Sequence, residues 1–273
     1  MTRRVRVGIT LPSFVRNPET ALAVARVADT TGVDGVFVYD HLFRRSRDGE
    51  RRPALEAAAL LGAVATATSR VTIGTLVLRS SLRPSASSAV LVDTMARLAP
   101  GRVAMGIGAG DSESKEENEA FGLGLSSMDV RVNALADTTR TVRDRGASIW
   151  VGGLAAAVRE VAAREADGWN AWGLNPDRFA TRAAQVSADA VRNPFECSWS
   201  GLVVLDETDA AATERARAQA AGPGTLVGGP RTIAAAFDEL GAAGAAWVIV
   251  GAVDASDPRT ARLLGNAVLP ALT

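Results

Sequence analysis

Short, continuously apolar runs recur along the whole chain, and each is followed by a stretch with helical spacing. The runs are Val5–Leu11, Gly35–Tyr39, Val71–Leu78, Arg102–Ile107, Ser148–Val151, Gly168–Trp172, Leu202–Leu205 and Trp247–Val250. Between them lie segments such as Pro18–Thr31, where Ala21, Val24, Ala25 and Ala28 fall on one face, and Ala86–Leu98, Pro176–Val191 and Arg231–Ala243. Strands that are apolar on both faces and alternate with helices imply a parallel sheet covered by helices. Repeated through a chain of 273 residues, the pattern predicts an α/β fold, a closed (β/α)8 barrel. An open doubly wound sheet is the second choice, and it usually has fewer strands. Nothing rich in Pro, Gly or Ser splits the chain, so residues 1–273 read as one domain.

Composition narrows the partners. Lys+Arg and Asp+Glu are equal at 30 each, and this balance argues against nucleic acid. No apolar run approaches the roughly 18 residues of a membrane span. The basic start, Met1-Thr2-Arg3-Arg4, leads into a strand rather than the apolar core of a signal peptide. A single cysteine, Cys197, rules out an internal disulfide and a cysteine-rich metal site, and the chain reads as cytoplasmic. One histidine cannot supply a His-rich metal site, and Asp40, Asp111 and Glu117 have no metal-ligand spacing.

In a barrel the site forms at the carboxyl ends of the strands, so those ends carry the functional reading. The first ends at Thr10-Leu11-Pro12-Ser13 and the second at Tyr39-Asp40-His41. Asp40-His41 reads as an acid/base or hydrogen-bonding pair, or His41 caps a loop. The third ends near Leu76-Val77-Leu78-Arg79 and the fourth at Gly108-Ala109-Gly110-Asp111, where glycines allow close approach of a flat or phosphorylated ligand. Asp111 reads either as a proton donor or cofactor contact, or as an N-cap for the segment after it. Gly152-Gly153 runs into a helix and offers free backbone N–H groups to an anion; Gly228-Gly229 offers a second such place, and plain turn chemistry is open for both. Trp169 and Trp172 flank Asn170, and Trp169 reads as a core residue. Segments 44–52 and 112–127 follow strands and read as long loops at the mouth. No P-loop lysine, nucleophile elbow or cysteine nucleophile is present. An anion site, glycine walls and few reactive side chains suggest that a cofactor carries the chemistry.

These motifs, taken in order, resemble the bacterial luciferase-like flavin and deazaflavin oxidoreductases over nearly the whole chain. Phe37-Val38-Tyr39-Asp40-His41-Leu42 is similar to that family's Asp-His motif, and Leu98-Ala99-Pro100-Gly101-Arg102 through Gly110 to its fourth-strand motif, the most specific of the matches. Ala65 to Thr75, Ala120-Phe121-Gly122 with Arg131, Ile149 to Gly153, Ala166 to Asn170, and Leu226 to Gly229 also fit.

The resemblance implies a luciferase-like barrel with coenzyme F420 or FMN at its mouth, and often a non-proline cis peptide at the end of the third strand, here near Leu76-Val77. The cofactor-binding set it implies is Asp40, His41, Leu76, Val77, Gly108, Gly110, Gly152 and Gly153, with the phosphate near the last two. His41 and Asp111 are the catalytic candidates, donating or accepting the proton that accompanies a hydride passed between F420 and a small organic substrate. An FMN-dependent monooxygenase is the alternative, and a flavin-binding protein without turnover is a reading from another class. Members of the family often form homodimers. Two departures stand out: the segment 143–149 is shorter than the usual mid-chain insertion, and Arg83-Pro84 stands where many members have His-Pro.

Overall fold

The computed structural model describes residues 5–45 and 49–273. The readings placed on Met1–Arg4 and on the centre of segment 44–52 lie outside these. Among the described residues eleven strands form in chain order: β1 (Arg6–Thr10), β2 (Gly35–Val38), β3 (Phe43–Arg45), β4 (Arg51–Pro53), β5 (Thr72–Arg79), β6 (Val103–Gly108), β7 (Ser148–Gly152), β8 (Gly168–Trp172), β9 (Glu196–Leu205), β10 (Leu226–Gly228) and β11 (Trp247–Ala252). Eight of them, in the order β1-β2-β5-β6-β7-β8-β9-β11, pair in parallel and close when β11 meets β1. The closed barrel expected from the sequence is the fold, and each barrel strand is followed by at least one helix.

The helices are α1 (Glu19–Thr31), α2 (Ala57–Ala67), α3 (Ser85–Leu98), α4 (Lys115–Ala120), α5 (Met128–Val142), α6 (Ala156–Glu165), α7 (Pro176–Ala188), α8 (Asp209–Ala218), α9 (Pro230–Ala242) and α10 (Arg259–Leu263). Their limits have local causes. In α1 the stripe Ala21, Val24, Ala25 and Ala28 is buried, and the helix stops at Gly32, whose φ of 95° suits glycine. In α7 the Asn175 side chain caps the start, accepting from the Arg178 N–H at 2.9 Å, and Pro176 supplies a pre-set φ at the first position. None of the described helices is long and apolar enough to cross a membrane.

Inside the barrel, Phe37, Leu76, Ala104, Trp150, Trp247 and Ile249 form a separate apolar plug. Trp150 and Trp247 meet edge-on at 5.7 Å, and Phe37 meets Trp247 at 5.9 Å with rings at 89°, the favoured edge-to-face geometry. A second, larger layer packs between the outer strand faces and the helices. The plug fills the lower barrel, so any ligand space lies above it, at the carboxyl ends of the strands.

Four sequence readings change. β9 begins at Glu196 rather than Leu202, because Ser198 and Ser200 carry it through the barrel wall as buried polar residues that the apolar pattern hides. Leu226–Gly228, which leads into the Gly228-Gly229 read as an anion place or a plain turn, is a short strand paired in parallel with the end of β9. Segment 44–52, read as a loop, contributes to the antiparallel hairpin of β3 and β4. Segment 112–127 likewise holds a tight turn at Ser112–Ser114 and the short helix α4.

Candidate functional site

A cleft of about 1190 Å³ opens at the carboxyl ends of the barrel strands. Asp40, His41, Leu76, Val77, Gly108, Gly110, Asp111, Gly152 and Gly153 all line it, so the topology brings together every residue singled out for the site. How each is engaged differs from the sequence expectation in several places.

The floor is built by Val77. The Leu76-Val77 peptide is cis, and the β5–β6 register shifts between Thr75 and Leu78. The Val77 side chain then lies across β6 and β7. A Cβ at Gly152 would stand 2.6 Å from Val77 Cγ1, and one at Gly108 would strike Val77 Cγ2. These two glycines therefore make room for a neighbouring side chain. Gly110, with φ 71°, turns the chain out of β6, and its carbonyl accepts from Arg131 Nη1.

The far end of the cleft is the start of α6. Gly153, at φ 141°, leads through Leu154 to Ala155, and the helix has no side-chain cap. Its first N–H groups thus lack the usual side-chain acceptor, and Gly153, Leu154, Ala155 and Val158 all line the cleft. A Cβ at Gly153 would stand 2.9 Å from Val158 Cγ1, so glycine keeps this approach open. The other Gly-Gly is closed to an anion: the Gly229 N–H donates to Asp209 Oδ1 at 2.7 Å, and this acid already occupies the start of α9. That contact is turn chemistry.

A network of buried charges supports the β2 and β5 ends. Asp40, 4% exposed, accepts from Arg83 Nη1 at 2.7 Å and Nη2 at 3.1 Å, and from the Arg79 N–H at 2.9 Å. This two-pronged fork is the strong guanidinium–carboxylate geometry, and it commits both oxygens. The departure at Arg83-Pro84 thereby gains a local reason. Asp40 does not act on the imidazole beside it in sequence. The carboxylate that does is Glu117 of α4, whose Oε2 lies 2.9 Å from His41 Nδ1. Glu117 Oε1 accepts from the Leu42 N–H and from Arg79 Nη2, the latter at 2.7 Å. Arg79 also donates to the Asp40 carbonyl at 2.7 Å and to Asn118 Oδ1 at 3.1 Å. Burial raises the Glu117 carboxyl, but hydrogen bonds from His41 and the Leu42 N–H, with the charges of His41 and Arg79, outweigh it and leave it below its ordinary value.

Glu117 holds Nδ1 of His41, no partner among the described residues holds Nε2, and an Nδ1–H donor to an ionised carboxylate makes Nε2 a proton acceptor. Asp111 instead caps the turn after β6: its Oδ1 accepts from the Ser114 N–H at 3.1 Å and from Ser114 Oγ at 3.2 Å. It is exposed and still lines the cleft. Of the tryptophans, Trp169 is buried, as expected, and Trp172 stands 43% exposed at the mouth. Sequence reasoning missed Glu117 as a site residue because it sits in the charged run Lys115–Glu119, which looks like a solvated face. The available signal was Arg79: a guanidinium at the end of an apolar strand needs a carboxylate from elsewhere.

Comparison with known proteins adds four findings. Residues 4–145 and 129–247 match a family model described as luciferase-like monooxygenase. An F420-dependent glucose-6-phosphate dehydrogenase of Beutenbergia cavernae is 42% identical over 110 residues, covering 40% of this chain and 32% of that protein. A protein of the same name from Nakamurella multipartita is 30% identical over 190 residues, covering 60% of this chain and 55% of its own length. The chain thus spans between about a third and about half of these relatives. In fold, a solved F420-dependent secondary alcohol dehydrogenase in complex with an F420-acetone adduct superposes with a TM-score of 0.81 at 17% identity, over 99% of this chain and all of that one.

Proposed function

This chain belongs to the luciferase-like monooxygenase family, and from that premise we propose that it is an oxidoreductase that moves a hydride between coenzyme F420 and a small organic substrate. The observation that carries the reading is His41, held at Nδ1 by Glu117 on the wall of a cleft that ends at the uncapped start of α6. The two relatives named as F420-dependent favour the deazaflavin over FMN. Their sugar substrate is not carried over, because the matched regions cover too little of them.

The residues fit such a group. Its phosphate would lie on the first N–H groups of α6, reached across Gly152 and Gly153, and its ring on the Val77 floor between Gly108 and Gly152. Bound there, F420 supplies hydride donation or acceptance, that is, one hydrogen with two electrons. The protein manages the proton. When a substrate hydroxyl is oxidised, its carbon gives up the hydride and its oxygen gives up a proton to Nε2 of His41; reduction of the carbonyl runs the same transfers backward. Glu117 stabilises the imidazolium that results, and Arg79 keeps Glu117 ionised. The walls hold the reacting atoms in contact and limit water. Asp111 remains a second proton candidate, at the cost of its hydrogen bonds to Ser114. The same reading takes the chain as one cytoplasmic barrel domain, with the direct connection from α5 to β7 replacing the family's longer mid-chain segment.

The family's description favours a second reading, an FMN-dependent monooxygenase. Oxygen uptake separates the two. The proposal predicts F420 reduction with a small alcohol under anaerobic conditions and no substrate-dependent oxygen uptake with reduced FMN. The opposite pair of results selects the monooxygenase.

A further inference from the structure

The two walls of the cleft differ in chemistry. One is backbone and methyl groups, from Gly108, Val77 and Gly152. The other is aromatic. Phe14 stacks on Tyr39 with centroids 6.4 Å apart and rings 21° from parallel, and it leans on His41 at 5.7 Å. Trp172 meets Tyr39 at 6.5 Å with rings at 69°. The Tyr39 hydroxyl donates to Thr10 Oγ1 at 2.9 Å, so its polar end is turned into the barrel wall. Gly251 makes that position available, since a Cβ there would stand 3.1 Å from the hydroxyl.

Arg44 sits at the rim of this wall. It lines the cleft, with its guanidinium carbon 5.8 Å from the Phe14 centroid. Several arginines around it are engaged: Arg45 and Arg51 with Glu116, Arg79 with Glu117, and Arg83 with Asp40. Among the described residues no carboxylate pairs with Arg44. Burial pushes the Tyr39 phenol above its ordinary value, against the Thr10 hydrogen bond and the Arg44 charge. Tyr39 therefore stays neutral and is no counter-ion.

We propose that the substrate is a flat, conjugated molecule bearing a carboxylate, its π system against Phe14, Tyr39 and Trp172 and its carboxylate on Arg44. Aromatic walls take planar faces by offset or edge contacts, and a guanidinium grips a carboxylate with two parallel hydrogen bonds. A polyhydroxylated sugar offers this wall no conjugated face. Calling the occupant a substrate rests on the oxidoreductase reading; the binding site itself does not.

The test is calorimetric binding of trans-cinnamate to the full chain, with and without saturating F420, alongside cinnamyl alcohol and glucose 6-phosphate. Cinnamate should bind in both conditions, and Arg44→Gln should weaken it about tenfold or more. Cinnamyl alcohol should bind the wild type and Arg44→Gln alike. Trp172→Ala should weaken both ligands. Displacement of cinnamate by F420 would assign the aromatic wall to the cofactor and overturn the proposal. So would tighter binding of glucose 6-phosphate than of cinnamate, or an Arg44→Gln variant with unchanged cinnamate affinity. If cinnamate binds through Arg44 while F420 does not bind at all, the cofactor reading fails and the site stands.

Discussion

Glu117 Oε2 lies 2.9 Å from His41 Nδ1, although 76 residues separate the two in sequence. The carboxylate next to the histidine in the chain, Asp40, is turned away and forked by Arg83. The consequence is a division of labour. Asp40 fixes the end of β5 through Arg83 and the Arg79 N–H, and Glu117 sets which imidazole nitrogen is left to the cleft.

His41→Asn keeps a polar side chain and removes the proton acceptor. Turnover with F420 and a substrate should fall about 100-fold or more, the usual scale for losing a general base. F420 affinity, measured by fluorescence titration, should stay within about threefold, because the proposed phosphate contacts at α6 are untouched. An unchanged kcat would remove His41 from the chemistry.

Glu117→Ala leaves Arg79, only 3% exposed, without its carboxylate. Removing one partner of a buried ion pair costs about 3–5 kcal/mol. Urea denaturation should register a loss of that order, reduced by the Asn118 and Asp40 carbonyl contacts that Arg79 keeps. The double variant Glu117→Ala/Arg79→Met should recover much of the loss, since no charge is then stranded.

The pH dependence has a definite sign. Glu117 ionises below its ordinary 4.5 in the fold and near that value when unfolded. Between the two values the unfolded chain binds more protons, so stability rises with pH across that window. The contribution is present above 4.5 and is lost as pH falls through the lowered folded value. Thermal melts from pH 6 downward should show Glu117→Gln losing less stability over that acid range than the wild type. Equal slopes would mean that the Glu117 contacts do not persist in solution.

Gly152→Ala places a Cβ 2.6 Å from Val77 Cγ1. The floor must shift, and cofactor affinity should drop about tenfold or more. Val77→Ala in the same chain relieves the clash, so the double variant should bind better than Gly152→Ala alone. No rescue would indicate that Gly152 acts by some other route.

The barrel was legible because its signal is repetitive. Apolar runs such as Val248-Ile249-Val250 and helical stripes such as that of α1 need no knowledge of distant contacts. The strand ends followed from the barrel, and with them the residues gathered in the cleft. What escaped depends on pairing across the chain. β9 was truncated because its inward serines meet Asn170, whose Nδ2 reaches Ser198 Oγ at 2.9 Å and Ser200 Oγ at 2.7 Å, and that match is invisible locally. Glu117 was missed as a site residue because only its meeting with His41, Leu42 and Arg79 turns one acid of a charged run inward. Gly108 reads as letting a ligand approach and Gly152 as part of an anion place or turn; that a Cβ at either would meet Val77 is hidden in the sequence, because it depends on the β5 backbone path.

The most direct measurement is a side-by-side titration of the purified chain with F420 and FMN, followed by fluorescence and calorimetry, with Gly153→Val as a control that crowds the approach to α6. Tight F420 binding, weaker FMN binding and loss of F420 affinity in the control are expected. A preference for FMN, or binding of neither, would contradict the F420 reading.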